Sequence, residues 1–277
     1  MQIANLAVRE QMVKTVVRSG NGGAVWVPKG WLGEEVVVIL PEKPRLKLKE
    51  RIVRLLEPCL KEVIAAAIYG SYARGEQTKK SDVDVLVVTE NKCIRLNTKK
   101  GNIDITSLPL GTLKRAITQY PAIYYQMVRE AEPLINAHAF QELRDIKLHE
   151  ENFMPYLKET KEHLKSSRDL LELDKMSGNY VTSYSVIYST MLRLRGLYIT
   201  RCILNKDAFS SKKLRHWLLD QGLSNAQFEE MYTAYRVIRD DQKTKNLHIP
   251  IIAAEKALHI LEKECNAIEA QLNDEPE

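Results

Sequence analysis

Residues 64–89 read IAAAIYGSYARGEQTKKSDVDVLVVT, and the fold turns on this stretch. The run 63–69 is apolar and has the length of a buried strand, and Gly70-Ser71 opens a turn after it. A basic polar loop follows, then a second strand bearing Asp82 and Asp84. Side chains alternate along a strand, so these two carboxylates share one face while Val83, Val85 and Val87 point the other way, into a core. Two like charges in an otherwise apolar strand are unfavourable unless a cation lies between them.

The ligands on offer are oxygens, with no His or Cys beside the pair, so the expected cation is Mg2+ or Mn2+ rather than zinc. Mg2+ held by few carboxylates usually shares its coordination with substrate phosphates, which points to a nucleotide. Gly70 fits that expectation because glycine lets the backbone approach a phosphate closely, and the Ser71 N–H and hydroxyl supply donors. A third carboxylate, Asp104, lies in the short strand-like run 102–105. If that run pairs beside 82–88, the three acids form a cage. Two metals there would clamp the attacking and leaving oxygens of an in-line displacement at phosphorus.

Gly70-Ser71, ten intervening residues, then Asp82-Val83-Asp84, resembles the signature of the minimal nucleotidyltransferases of the DNA-polymerase-β-like superfamily. The resemblance implies an α+β fold with a polymerase-β-like core, a small mixed sheet with helices. It implies that Asp82 and Asp84 bind both metals, that Asp104 supports the catalytic one, and that Gly70 and Ser71 hold the triphosphate. In the intervening loop, Arg74, Lys79 and Lys80 are either phosphate contacts or solvated cations, with Arg74 the leading candidate. Ser81 either caps the loop or hydrogen-bonds beside the metal pair, and Asn91 and Lys92 read as a turn.

A chain of 277 residues suits two or three domains. With 44% hydrophobic and 28% charged residues it has a globular composition and no compositional sign of disorder. The net charge of +5 permits a nucleic-acid partner without requiring one. Cys59, Cys93, Cys202 and Cys265 are far apart and form no Cys-x-x-Cys, so reduced, buried thiols in a cytoplasmic protein are expected. No apolar run approaches the roughly 18 residues of a membrane span, and the first 20 residues lack a signal-peptide core.

Residues 1–42 have the grammar of hairpins: a strand at 13–17, a turn at 20–23, a strand at 24–27, and a third at 35–40. About 30 residues of hairpin cannot bury enough surface to stand alone. Gly23, Val27-Pro28-Lys29, Leu32-Gly33 and the closing run 36–39 resemble the swapped-hairpin AbrB-like domains. That resemblance implies a homodimer, and DNA binding through Lys14, Arg18 and Lys29. The alternative is a docking hairpin whose basic residues are only solvated.

Residues 43–150 are expected to form the catalytic domain, with a helix over 46–60, strands at 63–69, 82–88 and 102–105, and a helix over 113–128 interrupted near Pro121. An edge strand at 134–136 and a helix over 140–149 complete it. Residues 151–277 are expected to be an antiparallel helical bundle, with helices over 177–204, 210–219 and 224–240 and an apolar stripe from Ile251 to Leu272. Ser210 or Ser211, and Ser224, are the expected N-caps.

The run 180–219 resembles the HEPN helical domains, which accompany minimal nucleotidyltransferases as toxin to antitoxin or as a substrate-binding bundle. The ribonuclease members carry an Arg followed within four to six residues by His. Here Arg239 is followed by His248 only after eight residues, so nuclease activity is not expected. Arg239, Lys243 and Lys245 either bind phosphate or pair with Asp240 and Asp241, and His216 and His248 read as helix-face residues.

These expectations combine into an enzyme that transfers a nucleoside monophosphate from an NTP, ATP by preference, to a hydroxyl and releases pyrophosphate. The acceptor would be a protein, as resemblance to toxin-modifying antitoxins suggests, or a small molecule. Two other readings remain: a DNA-binding autoregulatory dimer with an inactive core, and a fused HEPN ribonuclease.

Overall fold

The computed structural model describes residues 10, 12, 14–38, 47–79, 81–94, 102–240 and 247–274. The chain divides into two compact units, Met1–Arg45 and Leu46–Glu277.

In the first unit, β1 (Val17–Ser19) pairs antiparallel with β2 (Gly22–Ala24), Val17 opposite Ala24. Gly20 opens the two-residue turn at φ 57°, a left-handed conformation that glycine adopts without strain. A 3-10 turn follows at Lys29–Trp31. None of the described residues of this unit is buried. The strand expected at 24–27 ends at Ala24, and the third strand expected at 35–40 is absent over 35–38, while residues 39 and 40 lie outside the described residues. A strand needs a ladder partner, and the hairpin supplies none here. Val36, Val37 and Val38 are accordingly 48%, 60% and 69% exposed.

The second unit is built on a four-stranded mixed sheet in the order β5-β4-β3-β6. Helix α1 (Leu48–Leu56) passes into a 3-10 stretch at Glu57–Glu62, where Pro58 cannot donate to an α-helical ladder. Strand β3 (Val63–Tyr69) follows, then the one-turn helix α2 (Gly70–Ala73), β4 (Val83–Thr89) and β5 (Ile103–Pro109). Next come α3 (Leu110–Gln119), α4 (Tyr124–Glu130), β6 (Glu132–Ile135) and α5 (Ala137–Arg144). Strand β3 runs antiparallel to β4 and β6, and β4 runs parallel to β5.

Alternation along the strands makes two buried faces rather than one. Ala66, Ile68, Val83, Val85, Val87 and Ile103 meet Ile52 and Leu56 of α1. Ala65, Ala67, Leu86 and Val88 meet Leu113 and Ile117 of α3, Met127 and Val128 of α4, and Phe140 and Leu143 of α5. The face that carries Asp84 is therefore apolar along most of its length, and the acids occupy its end.

The helical region comprises α6 (Met154–Ser177), α7 (Tyr184–Leu204), α8 (Ser211–Asp220), α9 (Asn225–Arg239) and α10 (Ile251–Asp274) around one core. The single helix expected over 177–204 is instead the end of α6, a break at Gly178, and α7. Asp174 organises the break, its carboxylate accepting hydrogen bonds from the main-chain N–H and the hydroxyl of both Thr182 and Ser183. Ser210 and Ser224 are the N-caps of α8 and α9, and Gln227 completes a capping box with Ser224. All four cysteines are free thiols; Cys202 and Cys265 are buried as expected, whereas Cys93 is exposed and Cys59 half-buried. None of the described helices is long and apolar enough to cross a membrane.

Candidate active site

The end of the sheet where β3 stops and β4 and β5 start gathers the residues singled out above. Tyr69, the last residue of β3, lies opposite Asp84 across the antiparallel ladder, and Asp84 lies opposite Asp104 across the parallel one. Residues in register across a sheet share a face, so Tyr69, Asp84 and Asp104 form a row. Asp82 sits one residue before β4, exposed, and close enough to act on Asp84 electrostatically. Burial, then the Asp104 and Asp82 charges, push the Asp84 carboxyl up to about 6, against the pull of Arg74.

Gly70 fits this arrangement twice over. Its φ of 73° turns the chain out of β3, and a Cβ there would lie 2.2 Å from Asp84 Oδ2. Only glycine lets the turn and the carboxylate pass so closely. The Tyr69 hydroxyl is bonded to Thr106 Oγ1 at 3.1 Å, and burial first, with Asp84, Asp104 and Glu130 adding, raises it to about 12.

The oxygen-only donor set suits a hard divalent cation in kind, and the raised Asp84 carboxyl marks a surplus of negative charge that such an ion would relieve. Among the described residues, however, no three acids, histidines or cysteines are drawn together into a ready-made ion cage. What aligns Asp84 and Asp104 is the backbone register of β4 with β5.

Arg74, the leading candidate for a phosphate contact, is held by two carboxylates. Its Nη1 donates to Glu130 Oε2 at 2.7 Å and its Nε to Glu76 Oε2 at 3.0 Å. The guanidinium also lies over the Phe209 ring, as does that of Arg195. Glu130 Oε1 accepts from the Gly70 N–H at 2.8 Å. Glu76 reaches the start of α8, accepting from the Ser210 hydroxyl at 2.6 Å and the Ser211 N–H at 3.0 Å. Ser71 is half-buried beside Gly70. The Ser81 hydroxyl accepts from the Thr78 N–H at 2.9 Å, closing the loop just ahead of Asp82. Lys79 is exposed, Lys80 lies outside the described residues, and Asn91 and Lys92 form an exposed bend.

Away from this row, Arg239 pairs with Asp240 at 2.8 Å, His248 packs edge-on against Tyr180, and His216 is exposed. Asp241, Lys243 and Lys245 lie outside the described residues.

Sequence reasoning missed Glu76 and Glu130, and read Ser210 only as an N-cap. Glu76 sits inside the diagnostic stretch, but an acid in a basic loop reads as solvated, and Glu130 is 60 residues from its Gly70 partner. Nothing local marks either one.

No curated protein matches this chain. Solved structures are similar to it, among them the following two. The crystal structure of a toxin-antitoxin with AMP-PNP is 18% identical, over 47% of this chain and 99% of that one, with a TM-score of 0.28. That of a nucleotidyltransferase-like protein from Exiguobacterium sibiricum 255-15 is 15% identical, over 78% of this chain and 75% of that one, with a TM-score of 0.35. Residues 46–183, which contain the whole sheet and the acidic row, match the family model described as "Nucleotidyltransferase domain". Over that segment the sequence is thus similar to nucleotidyltransferase domains.

Proposed function

We propose that the protein transfers a nucleoside monophosphate from an NTP, ATP by preference, to a hydroxyl of a protein or small-molecule acceptor. The observation that carries this reading is the row formed by Asp84 and Asp104 in register, with Asp82 next to it and the Gly70 turn against Asp84. Asp82, Asp84 and Asp104 would hold Mg2+ or Mn2+, which when bound supplies charge neutralisation to the phosphates. Gly70 and Ser71 present the turn against the triphosphate, and the acceptor hydroxyl gives its proton to Asp104 as its oxygen attacks the α-phosphorus. The bond to the bridging oxygen breaks and pyrophosphate leaves. Incubation with α-labelled ATP and a cell extract tests this, and whether label follows protein or small solutes identifies the acceptor class. Asp84→Asn and Asp104→Asn are each expected to abolish transfer; label transfer at the wild-type rate by either variant overturns the reading.

The helical region is HEPN-like in this proposal and serves the transferase as a substrate-binding or partner bundle. The N-terminal unit is an AbrB-like hairpin that dimerises with a second copy, and the exposure of Val36, Val37 and Val38 favours this. Lys14, Arg18 and Lys29 are exposed and available to DNA. Sedimentation of the full chain should give a dimer that Val37→Lys weakens, and a monomer at micromolar concentration rejects dimerisation. A DNA complex should weaken steeply with salt.

A further inference from the structure

We propose that Glu130 and Glu76 are positioning residues for nucleotidyl transfer, gripping Arg74 between them so that the Gly70-Ser71 turn is held against Asp84 and tied to the start of α8. The inference rests on the transferase reading of the acidic row and says what fixes its geometry.

Helix α2 is a single turn, four residues long. A helix that short has no stability of its own, because the first turn fixes several residues for one hydrogen bond. Its position must come from outside. Glu130, at the end of α4, takes hold of both ends: Oε1 accepts from the Gly70 N–H at the start, and Oε2 accepts from Arg74, whose own N–H closes the turn on the Gly70 carbonyl at 3.2 Å. Gln126, one turn back on α4, donates to the same Oε2 at 2.7 Å and orients the carboxylate. Every oxygen of Glu130 is thus used, in a side chain only 10% exposed.

Glu76 works from the other side. Its N–H donates to the Ser71 carbonyl at 2.8 Å, and its carboxylate meets Arg74, the Ser210 hydroxyl and the Ser211 N–H. A carboxylate at the first turn of a helix is favourably placed against the partial positive charge there. Burial alone would raise this carboxyl, but the Ser210 hydroxyl, Arg74 and the Ser211 amide outweigh it and bring it to about 2. Glu76 therefore stays ionised, and its contacts span 134 residues of chain. The turn that would face the triphosphate is set by α4 on one side and by the helical region on the other.

The clamp is electrostatically costly where it stands, since two carboxylates share one guanidinium next to Asp84, and Glu130 is among the charges that raise Asp84. Apolar packing would serve stability alone at least as well. What carboxylates add is fixed direction, because two acceptors placed on separate nitrogens of one planar guanidinium, Glu130 on Nη1 and Glu76 on Nε, define both its position and its orientation.

The test uses the full chain with Glu130→Gln, Glu76→Gln and the double variant, assayed well below their melting temperatures. Initial rates of label transfer from α-labelled ATP and binding of a non-hydrolysable ATP analogue with Mn2+ are measured together. Each single variant should lose about tenfold or more in kcat/KM for ATP, a loss in keeping with small displacements at a reacting centre. The double variant should be little worse than the poorer single one, because both act through Arg74. Folded variants that transfer within twofold of wild type, or losses that simply add, overturn the proposal. Should Glu130→Gln fail to fold, Glu76→Gln and Ser210→Ala carry the same comparison at the α8 end. A wild-type protein that neither binds the Mn2+ nucleotide nor transfers label sinks the transferase reading itself, a distinct outcome from wild-type activity that the variants retain.

Discussion

Asp84→Asn is expected to stabilise the metal-free protein while abolishing transfer. The Asp84 carboxyl stands at about 6 in the folded chain against 3.8 ordinarily, through burial first and then the Asp104 and Asp82 charges. The folded state therefore holds this proton more tightly than the unfolded state does. Stability contributed here is present below about 3.8, is lost as pH rises towards 6, and stays lost above it. The full gap corresponds to about 3 kcal/mol; because the side chain is partly open to water, screening reduces this to roughly 1–2 kcal/mol. For a chain of this size that is a difference in Tm of roughly 2–8 °C. Thermal unfolding in chelator, wild type beside Asp84→Asn, should show little gap near pH 4, a growing advantage for the variant up to about pH 6, and a constant advantage from there to pH 8. Adding Mn2+ should reverse the order, since only the wild type gains the stabilisation that comes from binding a ligand in the folded state, about 2.7 kcal/mol at a hundred times Kd. A variant less stable than wild type at pH 8 without metal, or a gap that ignores pH, would refute the electrostatic account of the row.

Gly70→Ala forces a left-handed alanine, at about 1–2 kcal/mol, and sets its Cβ 2.2 Å from Asp84 Oδ2. Normal contact is about 3.5 Å, so the carboxylate must move by more than an ångström, and label transfer should fall about 100-fold; a wild-type rate would show that the position of Asp84 does not matter. Asp174→Ala removes the acceptor of four hydrogen bonds between α6 and α7 and should cost about 2–3 kcal/mol at pH 7, read as a lower Tm. Burial opposes ionisation of Asp174, but the hydrogen bonds from Thr182 and Ser183 prevail and hold its carboxyl below the usual range. Its contribution is therefore present above pH 4 and disappears as pH falls through the folded pKa, so the two melting curves should converge in acid.

The site was legible where chemistry is local. The strand 63–69 announced itself as an apolar run ended by Gly70, and Asp84 was legible as an acid in the next strand, although β4 begins at Val83 and leaves Asp82 just ahead of it rather than within it. Asp104 was legible as an acid in a strand-like run, and the parallel pairing of β4 with β5 supplies the register that brings it beside Asp84. Helix α6 was harder to see because its buried face alternates Leu157, Leu164 and Leu171 with Thr160, Ser167 and Asp174, so half of the expected apolar stripe is polar. The break at Gly178 was hidden for a related reason: its organiser, Asp174, looks like an ordinary surface acid. Arg74 was legible as the leading cation of the loop, but its partners Glu76 and Glu130 are recognisable only once α4 and α8 are in place.

The geometry also divides labour among the polar residues of the row. Tyr69 keeps its proton to about pH 12 and spends its hydroxyl on Thr106, so it braces β3 to β5 and is unsuited to take a proton from an acceptor. Asp84 sits centrally on β4, half-buried between Tyr69 and Asp104, where a side chain can hold an ion but is screened from an incoming molecule. Asp104 lies on β5, an edge strand, and is exposed. In the proposed transfer, an acceptor arriving from solvent would meet Asp104 before Asp84. Position in the sheet thus gives Asp104, which would hold the ion together with Asp84, the added task of accepting the proton, although the two residues are chemically identical.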